Sequence, residues 1–287
     1  MSIKARYPNK FDGIRSKMST NSRCVQYFLP ALLFLQFVVS DVTLPPIHGQ
    51  FDYQIGGSYT PNSSVTIVDR DMSVAPAAGI YSICYVNAFQ TQPADKAWWT
   101  KNHPKLLLRN NNQLVEDPDW PGEYILDTRT PENRAAIAEI VGSWIDQCAQ
   151  KGYKAIEPDN LDSYTRSKKL ITKQNNLDYA KLLATRAHKQ SLAFGQKNDA
   201  TITKAQATNV GFDFGIVEEC QEYEECTNYD AVYGDQWIEI EYTDVKNAAA
   251  IFKAACKERG NRISLIQRDR DVVPPKNKQY VYNLCSL

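Results

Sequence analysis

Short apolar or alternating runs take turns along this chain with longer segments whose apolar residues recur at helical spacing. The runs FDYQI (51–55), GIYSICYV (79–86), EYILD (123–127), KAIEP (154–158), LAFGQ (192–196), FDFGIV (212–217), WIEIEY (237–242) and RISLIQ (262–267) read as strands. The helices carry their own punctuation. Thr130 stands as an N-cap and Pro131 takes the first helical position. Ile137, Ile140, Val141, Trp144, Ile145 and Cys148 follow at helical spacing until Gly152 ends the run. NLDYAKLLATRAHKQ (176–190) and DVKNAAAIFKAACKERG (244–260) repeat the pattern, the second with Val245, Ala248, Ala249, Phe252 and Cys256 on one face. Eight strands, most of the later ones separated by helices, predict a parallel sheet. The length fits a single α/β domain built as a (β/α)8 TIM-like barrel. A doubly wound open sheet is the alternative, but no Gly-rich phosphate loop follows any strand.

The first 40 residues break this alternation. They hold six Lys/Arg against one acidic residue, and CVQYFLPALLFLQFVVS (24–40) is an apolar run behind that basic stretch. Val38-x-Ser40 before Asp41 completes the pattern of a secretory signal, with an uncleaved anchor as the alternative. The expected organisation is therefore an N-terminal extension and signal peptide over 1–40 and a barrel over 41–287. Secretion to the extracellular side follows, with no stable membrane association once the signal is cut.

Composition adds two constraints. Formal net charge is zero over 287 residues, but beyond residue 40 the chain carries 27 basic against 32 acidic residues and no long basic run, which argues against a nucleic-acid partner. Six of the seven cysteines remain beyond the signal, an even number that in a secreted chain points to three disulfides, with fifteen pairings open. Cys220 and Cys226 flank a short acidic loop and are expected to pair. Asn62-Ser63-Ser64 is a glycosylation sequon among turn-forming residues.

The acidic residues are where chemistry is to be sought, because functional side chains of a parallel barrel stand at the C-terminal strand ends. KAIEPDNLDSY (154–164) crowds Glu157, Asp159 and Asp162 into six residues, and Pro158, unable to donate to a ladder, helps end the strand there. Period-two alternation groups Ala155 with Glu157 and Asp159, Phe214 with Ile216 and Glu218, and Trp237 with Glu239 and Glu241; Lys197 and Asp199 share a face past the fifth strand. If these faces point inward, carboxylates from several strands meet at one mouth. Paired carboxylates suit glycosidic cleavage, where the leaving oxygen takes a proton while a nucleophile or activated water attacks from the opposite side. Trp98, Trp99, Trp120 and Tyr164 are candidate stacking platforms for sugar faces. Other chemistries are poorly served. Only His48, His103 and His188 are present, no Gly-x-Ser-x-Gly elbow occurs, and no His/Cys cluster has zinc spacing. The EPDNLD stretch leaves a calcium or magnesium contact open without matching an EF-hand loop, so no metal ligand is assigned and no cofactor is expected.

Six stretches in order, DYQIGGSY, ICYVNAFQTQ, WPGEYILD, KAIEPDNLDSY, AFGQKND and FDFGIVEECQEYEEC, resemble the motifs of glycoside hydrolase family 114, the endo-α-1,4-polygalactosaminidases, from about Asp52 to Tyr242. The chain departs from the usual pattern at Ser163, Gln196 and Val217. The resemblance implies a TIM-like barrel that hydrolyses internal α-1,4 bonds of galactosamine-containing polysaccharide, with Asp159 and Glu218 as catalytic pair. Tyr53, Glu123, Glu157, Asp162, Tyr164, Lys197, Asp199 and Glu241 join them as expected substrate contacts. Lys197 is expected to hold a neighbouring carboxylate ionised, with a purely structural ion pair as the alternative. An acidic cleft suits a cationic galactosamine-containing glycan. The alternative is a barrel that binds carbohydrate without turning it over.

Overall fold

A computed structural model of the protein describes residues 42–285. The signal-like stretch and its expected cleavage point lie outside the described residues. Eight strands run parallel, and their order in the sheet follows the chain: β1 (Phe51–Tyr53), β2 (Ile67–Asp71), β3 (Tyr81–Asn87), β6 (Ala155–Asp159), β7 (Ala193–Lys197), β8 (Phe214–Glu218), β9 (Trp237–Tyr242) and β10 (Ser264–Arg268). The remaining strands are β4 (Arg109–Asn110) and β5 (Gln113–Leu114), a small separate hairpin, and β11 (Tyr282–Leu284), which lies antiparallel on β10. The sheet curls so that its first and last parallel strands face each other. Arg268 of β10 donates to the carbonyl of Tyr53, and the Tyr282 hydroxyl reaches the carbonyl of Phe51 at 2.8 Å. This is an α/β fold of the TIM-like kind.

The helices are α1 (Lys96–Asn102), α2 (Pro131–Lys151), α3 (Lys173–Lys189), α4 (Lys204–Val210), α5 (Cys226–Tyr233) and α6 (Ala248–Arg259). The expected boundaries of α2 hold because its ends are chemically marked: Thr130 accepts from the Asn133 amide, and Gly152 turns left-handed at φ 95°. Helix α3 begins earlier than its apolar pattern, at a Thr172–Asn175 capping box.

The strict (β/α)8 expectation is corrected in two respects. Among the described residues no helix separates β1 from β2 or β2 from β3. The eight strands are also not the eight expected from pattern. EYILD (123–127) makes only isolated bridges, such as Gln90–Ile125 and Leu107–Leu126, while the charged stretch IVDRD (67–71) is a buried barrel strand. Its polarity hides it. Arg70 faces outward and is satisfied by Gln54, the Tyr59 carbonyl and the Ala75 carbonyl, and Asp69 faces inward at 0% exposure.

Apolar side chains fill two layers. Inside the curl, Phe51, Ile67, Ile83, Ala155, Phe214, Ile216, Ile238, Ile240 and Ile266 pack into one cluster; between sheet and helices, a larger one joins Val86, Phe89, Ile137, Val141, Ile145, Leu183 and Phe194. Three disulfides stitch the layers: Cys84–Cys148 ties β3 to α2, Cys220–Cys226 closes the loop before α5, and Cys256–Cys285 ties α6 to the chain after β11. No helix among the described residues is long and apolar enough to cross a membrane.

Candidate active site

The C-terminal ends of β6, β7 and β8 are built alike. Asp159, Lys197 and Glu218 each end a strand with the side chain inward, and the next residue in each case (Asn160, Asn198, Glu219) takes a left-handed φ between 51° and 67°. That turn sends the chain outward while the preceding side chain stays aimed at the mouth. Register does the rest. Lys197 sits level with Ile216, and Glu218 with Ile240, so the polar ends stand above a floor of isoleucines.

Lys197 is the centre. Its side chain is 2% exposed, and its ammonium lies 2.7 Å from Glu157 Oε1, 3.2 Å from Asp159 Oδ1, 3.2 Å from Glu218 Oε2 and 3.2 Å from the Tyr53 hydroxyl. Burial alone would strip its proton, but Asp159, Glu157 and Glu218 outweigh that and hold it charged. Asp159 is the reciprocal case. Burial would raise its pKa, yet Lys197, a 2.7 Å bond from the Tyr85 hydroxyl and the Asn160 amide keep it below the usual aspartate range. Glu218 is held on three sides: Tyr242 donates to Oε1 at 2.5 Å, and Asn198 both donates to Oε2 and accepts from the Glu218 amide, each at 2.9 Å.

These groups open into a cavity of about 430 Å³. Nine carboxylates line it (Asp71, Asp117, Asp119, Glu123, Asp159, Asp162, Glu218, Glu219 and Asp271) against three cations, Arg166, Lys197 and Arg270. Two of the cations are tied down. Arg166 forks onto Asp162 and reaches Asp117 at 2.6 Å, and Arg270 forks onto both Glu219 and Asp244 while lying 4.0 Å from the Tyr242 ring centroid. Glu123 accepts from Asn87 at 3.0 Å; burial first, then the charges of Asp159 and Asp117, push its pKa up to about 7. Trp120, half exposed, stands at the rim.

Of the expected residues, the structure brings Asp159, Glu218, Lys197, Tyr53, Glu123 and Asp162 to this cavity. Four lie elsewhere. Glu157 is fully buried beneath Lys197 and does not reach the cavity. Tyr164 and Asp199 bond each other at 3.1 Å outside the lining, the turn after β7 having carried Asp199 away from the face of Lys197. Glu241 is on the wrong side of β9: Ile238, Ile240 and Tyr242 fill the barrel, so Trp237, Glu239 and Glu241 point to the helix layer, where Arg259 forks onto Glu239. Trp99 is a core residue, fully buried. The departures at Gln196 and Val217 also face outward. Gln196 braces the next turn through the Asn198 and Asp199 carbonyls, and Val217 packs behind β8. Sequence reasoning passed over Tyr85, Tyr242, Asn198 and Asn160. Strand parity was the available signal, since Tyr85 is the register partner of Glu157 and Tyr242 shares a face with Ile238 and Ile240. For a metal, the only His/Cys/Asp/Glu cluster of suitable spacing among the described residues is Cys220, Cys226 and Glu239, and its two sulfurs are already bonded to each other.

The family model of glycoside-hydrolase family GH114 matches residues 36–287. Among solved structures, Aspergillus fumigatus Ega3 in complex with galactosamine superimposes with a TM-score of 0.65 at 22% identity, covering 84% of this chain and 98% of that one. The glycoside hydrolase domain of PelA from Pseudomonas aeruginosa gives 0.54 at 13% identity over 82% and 98%. At these identities the likeness speaks for the fold. An uncharacterized protein of Thermotoga maritima is 32% identical over 111 residues, which is 38% of this chain and 29% of that protein.

Proposed function

The chain belongs to glycoside hydrolase family 114, and from that premise we propose that it is a secreted glycosidase that cuts internal α-1,4 linkages of galactosamine-containing polysaccharide with Asp159 and Glu218. One observation carries the reading. Both carboxylates touch the same buried ammonium at 3.2 Å, so their nearest oxygens are at most twice that apart, about 6.4 Å. Two carboxylates so placed can flank one glycosidic bond, and an anionic Asp159 beside it suits the retaining course, in which one carboxylate attacks the anomeric carbon.

The surroundings favour Asp159 as the nucleophile and leave Glu218 as the acid and base. Asp159, held anionic by Lys197 and Tyr85, attacks the anomeric carbon as the glycosidic C–O bond breaks. Glu218, which takes up a proton from solvent as the substrate seats, gives it to the departing sugar oxygen. Glu218 then takes a proton from water, whose oxygen attacks the anomeric carbon and displaces Asp159, restoring both groups. Asn198 and Tyr242 fix Glu218 for both steps. Tyr53 stacks no sugar in this scheme; it braces Lys197 and Glu157 from below.

The excess of carboxylates over cations in the cavity suits a polymer of protonated amino sugars. Glu123 and Asp162 are proposed as contacts to those sugars, with Trp120 at the rim stacking a ring face. Three disulfides accord with an oxidising compartment and thus with export, leaving 41–287 as the mature chain. The test is cleavage of de-N-acetylated galactosamine polymer by Asp159→Asn and Glu218→Gln. Both variants should lose cleavage and still sediment with the polymer. A wild-type protein that binds the polymer without cutting it would turn the reading into that of a binding barrel.

A further inference from the structure

Strand β2 carries into the barrel a carboxyl that the steps above do not use. Asp69 is completely buried, between its register partners Tyr53 on β1 and Ile83 on β3. Neither of its oxygens meets a conventional donor among the described residues, and Glu157 Oε2 is in the same position. Glu157 Oε1, by contrast, takes both the Tyr53 hydroxyl at 2.9 Å and Lys197 at 2.7 Å. Asp69 and Glu157 lie within hydrogen-bonding reach of each other. Two ionised carboxylates in that contact would repel across three undonated oxygens, a cost that buried anions do not bear. One shared proton removes the conflict, because it makes one carboxyl a donor and the other a fully satisfied acceptor.

The remaining neighbours decide where the proton sits. Glu157 has Lys197 and Tyr53 to stabilise its charge. Asp69 faces Tyr53 and Glu157 and feels the charges of Lys197, which favours its ionised form, and of Asp159, which opposes it; burial followed by the Glu157 charge drives it well above the usual carboxylate range. We propose that Asp69 is a neutral carboxylic acid that donates to Glu157 Oε2 and so fixes Glu157, and through it the Lys197 ammonium, at the height where it reaches both Asp159 and Glu218. Asp69 is thus a positioning residue. Ionised, it would compete for the ammonium and draw it below the mouth. The inference rests on the reading of Asp159 and Glu218 as the catalytic pair.

Two measurements test it. Infrared difference spectra of the wild-type protein against Asp69→Asn at neutral pH should contain the C=O stretch of one protonated carboxyl, sensitive to D2O and missing in the variant. In cleavage assays, Asp69→Ala should lower kcat on the order of 10²-fold with KM little moved, as displacement of a catalytic group does. Asp69→Asn, whose amide donates to Glu157 at every pH, should restore most of that loss. Absence of the band in the wild-type protein, full kcat in Asp69→Ala, or no rescue by Asp69→Asn would each overturn the proposal. If Asp69→Ala does not fold, the infrared comparison decides alone. If Asp159→Asn and Glu218→Gln keep cleaving, the catalytic reading falls by itself, while the carbonyl band still reports the proton on Asp69.

Discussion

The Tyr242 hydroxyl donates to Glu218 Oε1, joining the last residue of β9 to the last residue of β8 above the apolar floor. Arg270, over the Tyr242 ring, holds the phenol in that pose. Tyr242→Phe keeps the ring and removes the bond. A hydrogen bond to Glu218 in the carboxylate form it takes as base is worth about 1.5–3 kcal/mol, so kcat should fall about tenfold or more with KM nearly unchanged. Steady-state kinetics on a defined oligomer check this, and an effect confined to KM would place Tyr242 in binding instead.

Lys197→Met tests the central cation. The substitution leaves Asp159, Glu157 and Glu218 without their shared counter-charge, and breaking a buried pair in this way costs about 3–5 kcal/mol. Urea unfolding should register that loss. The pH profile should move as well. A carboxylate with a depressed pKa contributes stability above its unfolded-state value and loses it as pH falls through the lower folded value. Removing Lys197 lifts that folded value, so any residual activity should fail at a higher pH on the acid side than in the wild type.

Glu123 sets a limb near neutrality. With its pKa pushed up to about 7, it is anionic above that pH and neutral below it. An anionic Glu123 attracts a protonated amino sugar and a neutral one does not, so KM for de-N-acetylated oligomer should rise as pH falls through about 7. Glu123→Gln should abolish this dependence and hold KM near the acid-side value. Titrating KM across neutrality for both proteins decides the matter.

The disulfides should separate stability from activity. In the chain-entropy description, the 64-residue separation of Cys84 and Cys148 is worth about 4 kcal/mol, and the six-residue separation of Cys220 and Cys226 about 2 kcal/mol. The double Ser variant of the first pair should therefore unfold at lower denaturant than that of the second. The second should lose more activity per kcal/mol, because its loop follows Glu218 and Glu219 directly.

These outcomes also explain how far the sequence could be read. Helix α2 and strand β6 were legible because their ends are written in chemistry: a Thr-Pro start, a left-handed Gly stop, and a proline beside the last carboxylate. Strand β2 was not, because three of its five residues are charged, and their burial depends on partners far away in the chain: Gln54 for Arg70, Glu157 for Asp69. Strand β9 misled for a related reason. Its charged face looked functional, yet the face of Ile238, Ile240 and Tyr242 is the one a barrel interior requires, and only the assembled sheet shows that Arg259 waits behind Glu239. That Asp159 and Glu218 would stand at one mouth was reachable from the sequence, because both share the parity of the apolar interior residues of their strands.

The pairing of Asp159 with Glu218 is tested most directly by trapping the intermediate. A galactosaminide with a good leaving group needs no proton from Glu218, and in Glu218→Gln the second step lacks its base, so the glycosyl-enzyme should accumulate. Peptide mass mapping is predicted to find one hexosamine on Asp159. A hexosamine on any other residue, or turnover by Glu218→Gln with no adduct at all, would contradict the account.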